Sequence, residues 1–344
     1  MSGTGCAPEP GAEGWHITRF AGVSETESIA IGSIGADETG ATSESFFLTI
    51  NGYLKPTSLY LLDPGEPMEL LKQAPAQFEA AKMVVSLHDA VAEDGVRIPY
   101  FQVSGDHLAL NGDNPTILYG YGGFSVPMSP GYMATIGKVW LERGGVFVVA
   151  NIRGGGEFGT AWHKAGTREG KKRAQDDFAV VARDLIARGV ATPDRLACWG
   201  GSNGGLLVGN MLTRFPQLFG AVWCELPLLD MRRYTKFPPG ASWIEEYGDP
   251  DNPEDWAFLQ EISAYHLASD AVIYPPIFIW TSAADDRTHP GHARKMGAKL
   301  QALGQRALFY EPEEGGHGFA DLNQAAFGQA LGFSFLRHTI CGAR

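Results

Sequence analysis

Residues 196–213 read LACWGGSNGGLLVGNMLT, a strand-like segment followed by a helical one. The first part, Leu196–Trp199, is apolar and typical of a buried strand, and Asn203–Thr213 has a helical pattern. Ser202 lies between them in a G-x-S-x-G pattern. Such a serine at a sharp strand-to-helix turn forms a nucleophile elbow, where neighbouring side chains would collide with the sheet. The stretch predicts a serine nucleophile, and a plain glycine-rich turn is the alternative.

Strand-like and helical segments alternate on both sides of this stretch. Near-continuous apolar strands are typical of a parallel sheet that helices cover on both faces. The strand candidates are Thr116–Tyr119, Val146–Asn151, Leu196–Trp199, Ala221–Glu225, Ile277–Thr281 and Ala307–Tyr310, and the helical ones are Asp176–Ala187, Asn203–Thr213, Gly291–Leu303 and Gln324–Arg337. Val84–Leu87 and Ile98–Val103 indicate an antiparallel hairpin leading into the sheet. We therefore expect an α/β-hydrolase fold, with a mainly parallel eight-stranded sheet flanked by helices.

The first 75 residues differ from the rest in the pattern of their apolar and turn-forming residues. Short apolar runs separated by Gly, Asn, Pro and Asp occur at Ser28–Ile34, Ser45–Ile50, Ser58–Leu62 and Glu69–Leu71. This spacing is typical of a small antiparallel β unit. The sequence thus predicts a β extension over residues 1–75 and a catalytic domain over residues 76–344.

A serine hydroxyl needs a general base to remove its proton, and an acid to orient that base. In this fold the chain order is Ser, then Asp or Glu, then His. Of nine histidines, His317 is the candidate base because it lies in a glycine-rich loop shortly after the last predicted strand. The acid should follow Ile277–Thr281, where Asp285 and Asp286 are adjacent. The residues alone do not separate these two, since the other could cap a helix or pair with Arg287.

The composition limits the partners and the compartment. The 344 residues are 44% hydrophobic, enough for a sizeable core. With 27 basic and 39 acidic residues, a net charge of −12 and no basic run, we expect no nucleic-acid partner. Residues 1–20 do not resemble a secretory signal, and no stretch approaches the roughly 20 apolar residues of a membrane helix. We therefore expect no membrane association and a cytoplasmic location.

The cysteines give no sign of a metal site or a disulfide framework. Cys6, Cys198, Cys224 and Cys341 stand far apart without a CxxC pair, so free thiols are expected. Catalysis by a serine nucleophile requires no metal or organic cofactor, and we expect none.

Five segments carry a resemblance to a known family. They are Tyr119–Phe124 (YGYGGF), Asn151–Glu157 (NIRGGGE), Gly200–Gly205 (GGSNGG), Asp285–Arg287 (DDR) and Gly315–Gly318 (GGHG). In this order they resemble the catalytic domain of prolyl oligopeptidases, over roughly two-thirds of the chain.

The resemblance implies roles that the residues alone leave open. It implies that Asp285 is the triad acid and that Arg287 binds a backbone carbonyl of the substrate. A structural ion pair is the alternative for Arg287. The resemblance also implies an oxyanion hole formed by the Tyr121 hydroxyl and the backbone N–H of Asn203.

An apolar pocket for a proline ring is implied as well. Trp243 and Tyr247 stand where the family places pocket aromatics, and Phe124 resembles the aromatic of the neighbouring subsite. A flat indole face matches a pyrrolidine ring, which has no N–H to leave unpaired. Core packing is the alternative for each of the three. Thr288 stands where the family usually has an apolar pocket residue, which puts proline selectivity in question.

The N-terminal part departs from the family pattern. Residues up to about Leu71 resemble one blade of the family's seven-bladed β-propeller, around Gly52–Tyr60, and one blade cannot close a propeller. The open edges of such a blade invite pairing with another chain. We therefore expect a homo-oligomer formed through these edges, or else weak stability.

Together these features predict a serine peptidase that cleaves short peptides on the C-terminal side of proline through an acyl-enzyme. One alternative is an esterase on the same triad, since an ester needs less help with its leaving group than an amide. The other is a catalytically silent binding protein, against which the intact catalytic positions argue.

Overall fold

The structure is a computed structural model that describes residues 4–7, 16–19, 23–35, 44–63 and 65–342. The chain divides into two compact units, Met1–Ser86 with Ser129–Glu142, and Leu87–Met128 with Arg143–Arg344. The expected domain boundary after residue 75 stays a prediction. Sequence patterns gave no sign that Ser129–Glu142 joins the first unit.

The first unit is built mainly from antiparallel strands. β1 (Thr4–Ala7) pairs with β2 (His16–Arg19), and a four-stranded sheet contains β3 (Glu27–Ser33), β4 (Phe46–Gly52), β5 (Ser58–Leu62) and β6 (Glu69–Gln73) in chain order. Leu48 and Ile50 alternate as buried residues of β4, as expected for a sheet with one covered face. The predicted antiparallel β unit is therefore confirmed.

One helix, α1 (Ala134–Val139), belongs to the same unit. Gly137 of this helix lies against the Phe78 ring, and a Cβ at this position would come within 2.2 Å of that ring. Tyr132 stacks on Phe78 from the residues before the helix, with 5.3 Å between ring centroids. These contacts explain how Ser129–Glu142 packs within the first unit.

A mixed sheet of eight strands, in the order β14-β13-β12-β11-β9-β10-β8-β7, belongs to the second unit except for the first four residues of β7. The strands are β7 (Met83–Val91), β8 (Arg97–Gly105), β9 (Thr116–Tyr119), β10 (Val146–Ala150), β11 (Leu196–Gly201), β12 (Ala221–Glu225), β13 (Ile277–Trp280) and β14 (Ala307–Tyr310). The six strands from β9 to β14 run parallel, and β8 is antiparallel to β10.

Helices cover this sheet on both faces. The helices of the second unit are α2 (Thr160–Lys164), α3 (Lys171–Ala187), α4 (Asn203–Arg214), α5 (Ile244–Tyr247), α6 (Pro253–Leu259), α7 (Ala264–Leu267), α8 (Gly291–Ala302) and α9 (Leu322–Ile340). Val222 and Cys224 of β12 share a core with α3, α4 and α8, while Trp223 between them packs edge-on against Phe333 of α9. Because alternate strand residues face opposite sides, α9 covers the other face. The predicted α/β-hydrolase fold is confirmed.

The direction of the parallel strands places the candidate catalytic residues at one edge of the sheet. The carboxyl ends of parallel strands meet at one edge of a sheet, and the segments after β9, β11, β13 and β14 carry Tyr121, Ser202, Asp285 and His317. Every residue predicted for catalysis therefore belongs to this edge of the second unit.

Three of the four cysteines have described side chains. Cys198 and Cys224 are buried free thiols and Cys341 is a partly buried one, while the prediction for the Cys6 side chain lies outside the described residues.

Within the described ranges, no cluster of three or more His, Cys, Asp or Glu side chains could hold a metal ion. No helix in these ranges is long and apolar enough to cross a bilayer. The cytoplasmic location stays a prediction.

Candidate active site

Ser202 occupies a strained turn between β11 and α4. Its backbone has φ 58° and ψ −118°, a conformation that residues other than glycine rarely adopt. The turn is tight, since a Cβ at Gly200 would come within 2.4 Å of the Gly204 carbonyl oxygen. The Ser202 N–H donates to the Glu225 carbonyl at 2.9 Å, which ties the turn to the next strand. These are the features of a nucleophile elbow.

His317 and Asp285 form a hydrogen-bonded pair. The Nδ1 of His317 lies 3.1 Å from both carboxylate oxygens of Asp285, whose residue surface is 2% exposed. Burial alone would raise the pKa of Asp285, but the hydrogen bond and charge of His317, with further donors, hold it below its usual value. A carboxylate that accepts from Nδ1–H leaves Nε2 of the imidazole as a proton acceptor.

The two adjacent aspartates, which sequence reasoning could not separate, occupy different environments. Asp285 accepts the backbone N–H of Arg287 at 2.9 Å and that of Thr288 at 3.1 Å, besides bonding His317. The Thr288 hydroxyl donates to the same carboxylate at 2.8 Å. Asp286 is exposed. The structure therefore pairs His317 with the first aspartate of the DDR segment.

The structure does not join all three triad candidates. Within the described residues, the hydrogen bonds of His317 reach Asp285 and none reaches the Ser202 hydroxyl. Such catalytic contacts are often long before substrate binds. The triad as a working unit therefore stays a prediction.

Tyr121 lies beside the serine. Burial raises the pKa of its hydroxyl, while a hydrogen bond with the Ser202 side chain and the charge of Arg287 act in the opposite direction. The tyrosine is thus a neutral O–H donor at neutral pH.

Asn203 is the first residue of α4. A helix leaves its first N–H groups without an internal partner, and among the described residues the Asn203 N–H makes no hydrogen bond to another backbone group. Its part in the oxyanion hole stays a prediction. The Asn203 side chain is already engaged, since its amide donates to the Tyr121 carbonyl at 2.5 Å and accepts from the Tyr247 hydroxyl at 2.8 Å.

Phe124 contacts the other two predicted pocket aromatics edge-on. The centroid of the Phe124 ring lies 6.2 Å from that of the Trp243 ring and 5.5 Å from that of the Tyr247 ring. Phe124 and Trp243 are partly buried, whereas Tyr247 has no exposed surface. The predicted substrate role of Tyr247 stays a prediction, and in this structure any such role is indirect because its hydroxyl holds Asn203.

Arg287 has an exposed side chain. In the part of the chain that the structure describes, its guanidinium belongs to no ion pair. Its positive charge is one of the influences that lower the pKa of the Tyr121 hydroxyl, against the larger effect of burial. The role predicted for Arg287, binding a backbone carbonyl of the substrate, stays a prediction.

The NIRGGGE segment supports the loop that carries Tyr121. A Cβ at Gly154 would come within 2.5 Å of the Gly122 carbonyl oxygen, and the Ser125 N–H donates to the Gly154 carbonyl at 3.2 Å. Arg153 makes a buried ion pair with Asp177 at 2.5 Å. The pair lines a charged cavity of about 350 Å³ that contains none of the predicted site residues.

Glu225 is a titratable group that sequence reasoning missed. Its carboxylate accepts the indole N–H of Trp280 at 2.6 Å, and Trp280 stacks on Phe319, two residues after His317. Burial raises the pKa of the Glu225 carboxyl to about 7, against smaller opposing effects of hydrogen bonds. A glutamate ending an apolar strand was the only available signal.

The chain is similar to known proteins over most of its length. A sequence model of the prolyl oligopeptidase family matches residues 132–341. An uncharacterized peptidase of Sinorhizobium fredii, y4nA, is 43% identical over 328 residues, which are 95% of this chain and 44% of that protein. A prolyl endopeptidase of Elizabethkingia miricola is 35% identical over 274 residues, 79% of this chain and 39% of the enzyme.

A solved structure shows the same likeness. A post-proline cleaving enzyme from Rickettsia typhi superposes with a TM-score of 0.89 and 34% identity, over 98% of this chain and 48% of that one. The chain thus spans less than half the length of these relatives.

Proposed function

Because the chain belongs to the prolyl oligopeptidase family, we propose that it is a serine peptidase that hydrolyses short peptides on the carboxyl side of proline. The backbone of Ser202 carries the proposal. A serine held at φ 58° between a parallel strand and a helix has its hydroxyl presented at the sheet edge where Asp285 and His317 also lie.

The proposed mechanism is acyl transfer. The Ser202 Oγ attacks the carbonyl carbon of the scissile amide while Nε2 of His317 takes the hydroxyl proton. The imidazolium then gives this proton to the leaving amine, and an acyl-enzyme remains. Water attacks the ester with the same imidazole as base, releases the acid and restores the Ser202 hydroxyl.

Two donors are proposed for the oxyanion of each tetrahedral intermediate. The Tyr121 hydroxyl is neutral at neutral pH and lies by Ser202, and the Asn203 N–H starts α4. The partial positive charge at the start of this helix favours an anion there. Donors fixed before the reaction are worth more than water, since they need no reorganisation.

The proposed pocket accepts a proline ring between partly buried aromatics. Phe124 and Trp243 supply flat apolar faces in edge-on contact, and the exposed Arg287 guanidinium would bind a peptide carbonyl. The Rickettsia typhi relative is described as a post-proline cleaving enzyme, which supports the same preference here.

Partner chains are proposed for the first unit. Its outer strands β3 and β6 expose Ile31 and Leu70, 68% and 50% exposed. Unpaired strand edges with apolar side chains favour pairing with another chain. We expect a homo-oligomer, which sedimentation would detect as a concentration-dependent mass above 37.1 kDa.

The test is hydrolysis of blocked peptidyl coumarylamides ending in Gly-Pro or Gly-Ala. The purified protein should release coumarin after proline, and Ser202→Ala should abolish it. Trp243→Ala should weaken cleavage after proline more than cleavage after alanine. Ser202-dependent ester hydrolysis without amide cleavage would instead identify an esterase, and no Ser202-dependent turnover would contradict both.

A further inference from the structure

A buried charged cluster lies behind the candidate pocket. Glu246 and Lys171 are 5% and 2% exposed, and their carboxylate and ammonium groups meet at 2.5 Å. His163 completes the cluster, with Nε2 2.8 Å from the other carboxylate oxygen. Removing two charges from water costs solvation free energy, and their mutual attraction offsets only part of it. A gain in stability is therefore a weak explanation for such a pair.

The cluster holds the backbone of the segment Tyr121–Phe124, called the oxyanion loop below. The Phe124 N–H donates to the Glu246 carboxylate at 2.9 Å, and the Lys171 ammonium donates to the Gly122 carbonyl at 3.3 Å. Phe124 has φ 56°, which is strained for a residue with a side chain, and strained backbone persists only where surrounding contacts fix it.

The same cluster holds the pocket. Glu246 belongs to α5, between Trp243 at its N-cap and Tyr247 at its end. The Lys171 ammonium lies 5.2 Å from the centre of the Tyr247 ring, a cation–π contact, and Tyr247 donates to Asn203. One carboxylate therefore connects the oxyanion loop to the short helix whose N-cap is the pocket residue Trp243.

We propose that Glu246, with Lys171 as its counter-ion, is a positioning residue that sets both the Tyr121 hydroxyl in the oxyanion hole and the Phe124 ring in the pocket. Although burial opposes ionisation, the charge of Lys171 and the hydrogen bonds from Lys171, Phe124 and His163 hold the pKa of Glu246 below its usual value. The carboxylate is thus charged at neutral pH. Its effect on Tyr121 requires only Ser202 acyl chemistry, whereas its effect on Phe124 rests on the proposed function.

The experiment uses the neutral double variant Glu246→Gln/Lys171→Met in the full chain. Either single change would leave one buried charge unpaired and would destabilise the fold for that reason alone. The matched control is Asp176→Asn/Arg214→Met, which removes an ion pair of the same two charges between α3 and the last residue of α4. Both proteins are assayed on a p-nitrophenyl ester and on the Gly-Pro and Gly-Ala coumarylamides, with circular dichroism as the fold check.

We expect the ester kcat of the double variant to be about tenfold lower than that of wild type, with little change in KM. This loss is smaller than the 10²–10³-fold loss in kcat that follows when an oxyanion donor is removed. The preference for proline over alanine should fall as well, and the control should show neither change. A folded double variant with wild-type kcat and wild-type preference would overturn the proposal. If the double variant does not fold, Glu246→Asp, which keeps the charge but shortens its reach, should lower the ester kcat, and an unchanged kcat would overturn the proposal.

Failure of the proposed function would look different. A wild-type protein that hydrolyses the ester through Ser202 but cleaves neither amide would refute the peptidase assignment. The ester kcat of the double variant would still decide whether Glu246 positions the oxyanion loop.

Discussion

The Thr288 hydroxyl donates a 2.8 Å hydrogen bond to Oδ2 of Asp285. Thr288 is 2% exposed, and its backbone N–H donates to Oδ1 of the same carboxylate at 3.1 Å. The family resemblance implied an apolar pocket residue at this position, so a threonine here put proline selectivity in question. The structure instead turns the hydroxyl toward the candidate triad acid, so this position affects the orientation of Asp285.

Thr288→Val should therefore lower kcat about five- to tenfold, because it keeps the shape but removes a hydrogen bond to a charged group. Steady-state hydrolysis of the ester and the Gly-Pro coumarylamide measures this. Thr288→Ser, which retains the hydroxyl, is the control and should stay near wild type. Equal rates in the valine and serine variants would show that the hydroxyl has no part in catalysis.

Asp285→Asn should lower kcat about 10³–10⁴-fold, because an amide no longer holds the imidazole with Nε2 as the acceptor. The control is Asp286→Asn, the same chemical change at an exposed neighbour, and it should be close to neutral. Single-turnover kinetics on a coumarylamide would compare them. A large loss in the Asp286 variant with little loss in the Asp285 variant would reverse the assignment.

Tyr121→Phe should lower kcat about 10²-fold with a smaller effect on KM, since the hydroxyl acts on charge that develops after binding. Tyr119→Phe makes the same change two residues earlier, within β9, and should leave kcat within a few-fold of wild type. A Tyr121 variant with wild-type kcat would remove this residue from the oxyanion hole.

Much of the fold was predictable from apolar patterns, and the reason is burial. β12 was predicted at Ala221–Glu225, its observed bounds, because a parallel strand covered on both faces is apolar at nearly every position. α5, which carries Glu246, was not predicted, because four residues are too few to show a helical period.

The site was predictable only in part. Ser202 was found because its elbow imposes a local pattern of small residues. No comparable pattern exists for the pairing of Lys171 with Glu246, which are 75 positions apart and meet only in the folded chain. The direction of the Thr288 hydroxyl depends on a side-chain rotamer, about which the sequence says nothing.

The raised pKa of Glu225 makes stability depend on pH. In the folded protein this carboxyl stays protonated up to about pH 7, whereas its ordinary pKa is 4.5. The folded state thus binds a proton that the unfolded chain releases, so this group lowers stability progressively as pH rises from about 4.5 to about 7. Glu225→Gln, which can still accept from Trp280, should raise the thermal midpoint relative to wild type more at pH 8 than at pH 5. Differential scanning calorimetry would measure both, and an identical difference at the two pH values would contradict the assignment.

The central claim is that His317 activates Ser202, and covalent labelling tests it most directly. The protein is treated with a fluorophosphonate, and the modified residue is mapped by mass spectrometry in wild type, in His317→Ala and in His338→Ala as a control histidine on α9. We predict a single adduct on Ser202 in wild type and the His338 variant, formed at least 10²-fold more slowly without His317. An adduct on another residue, or a labelling rate on Ser202 that does not depend on His317, would contradict the account.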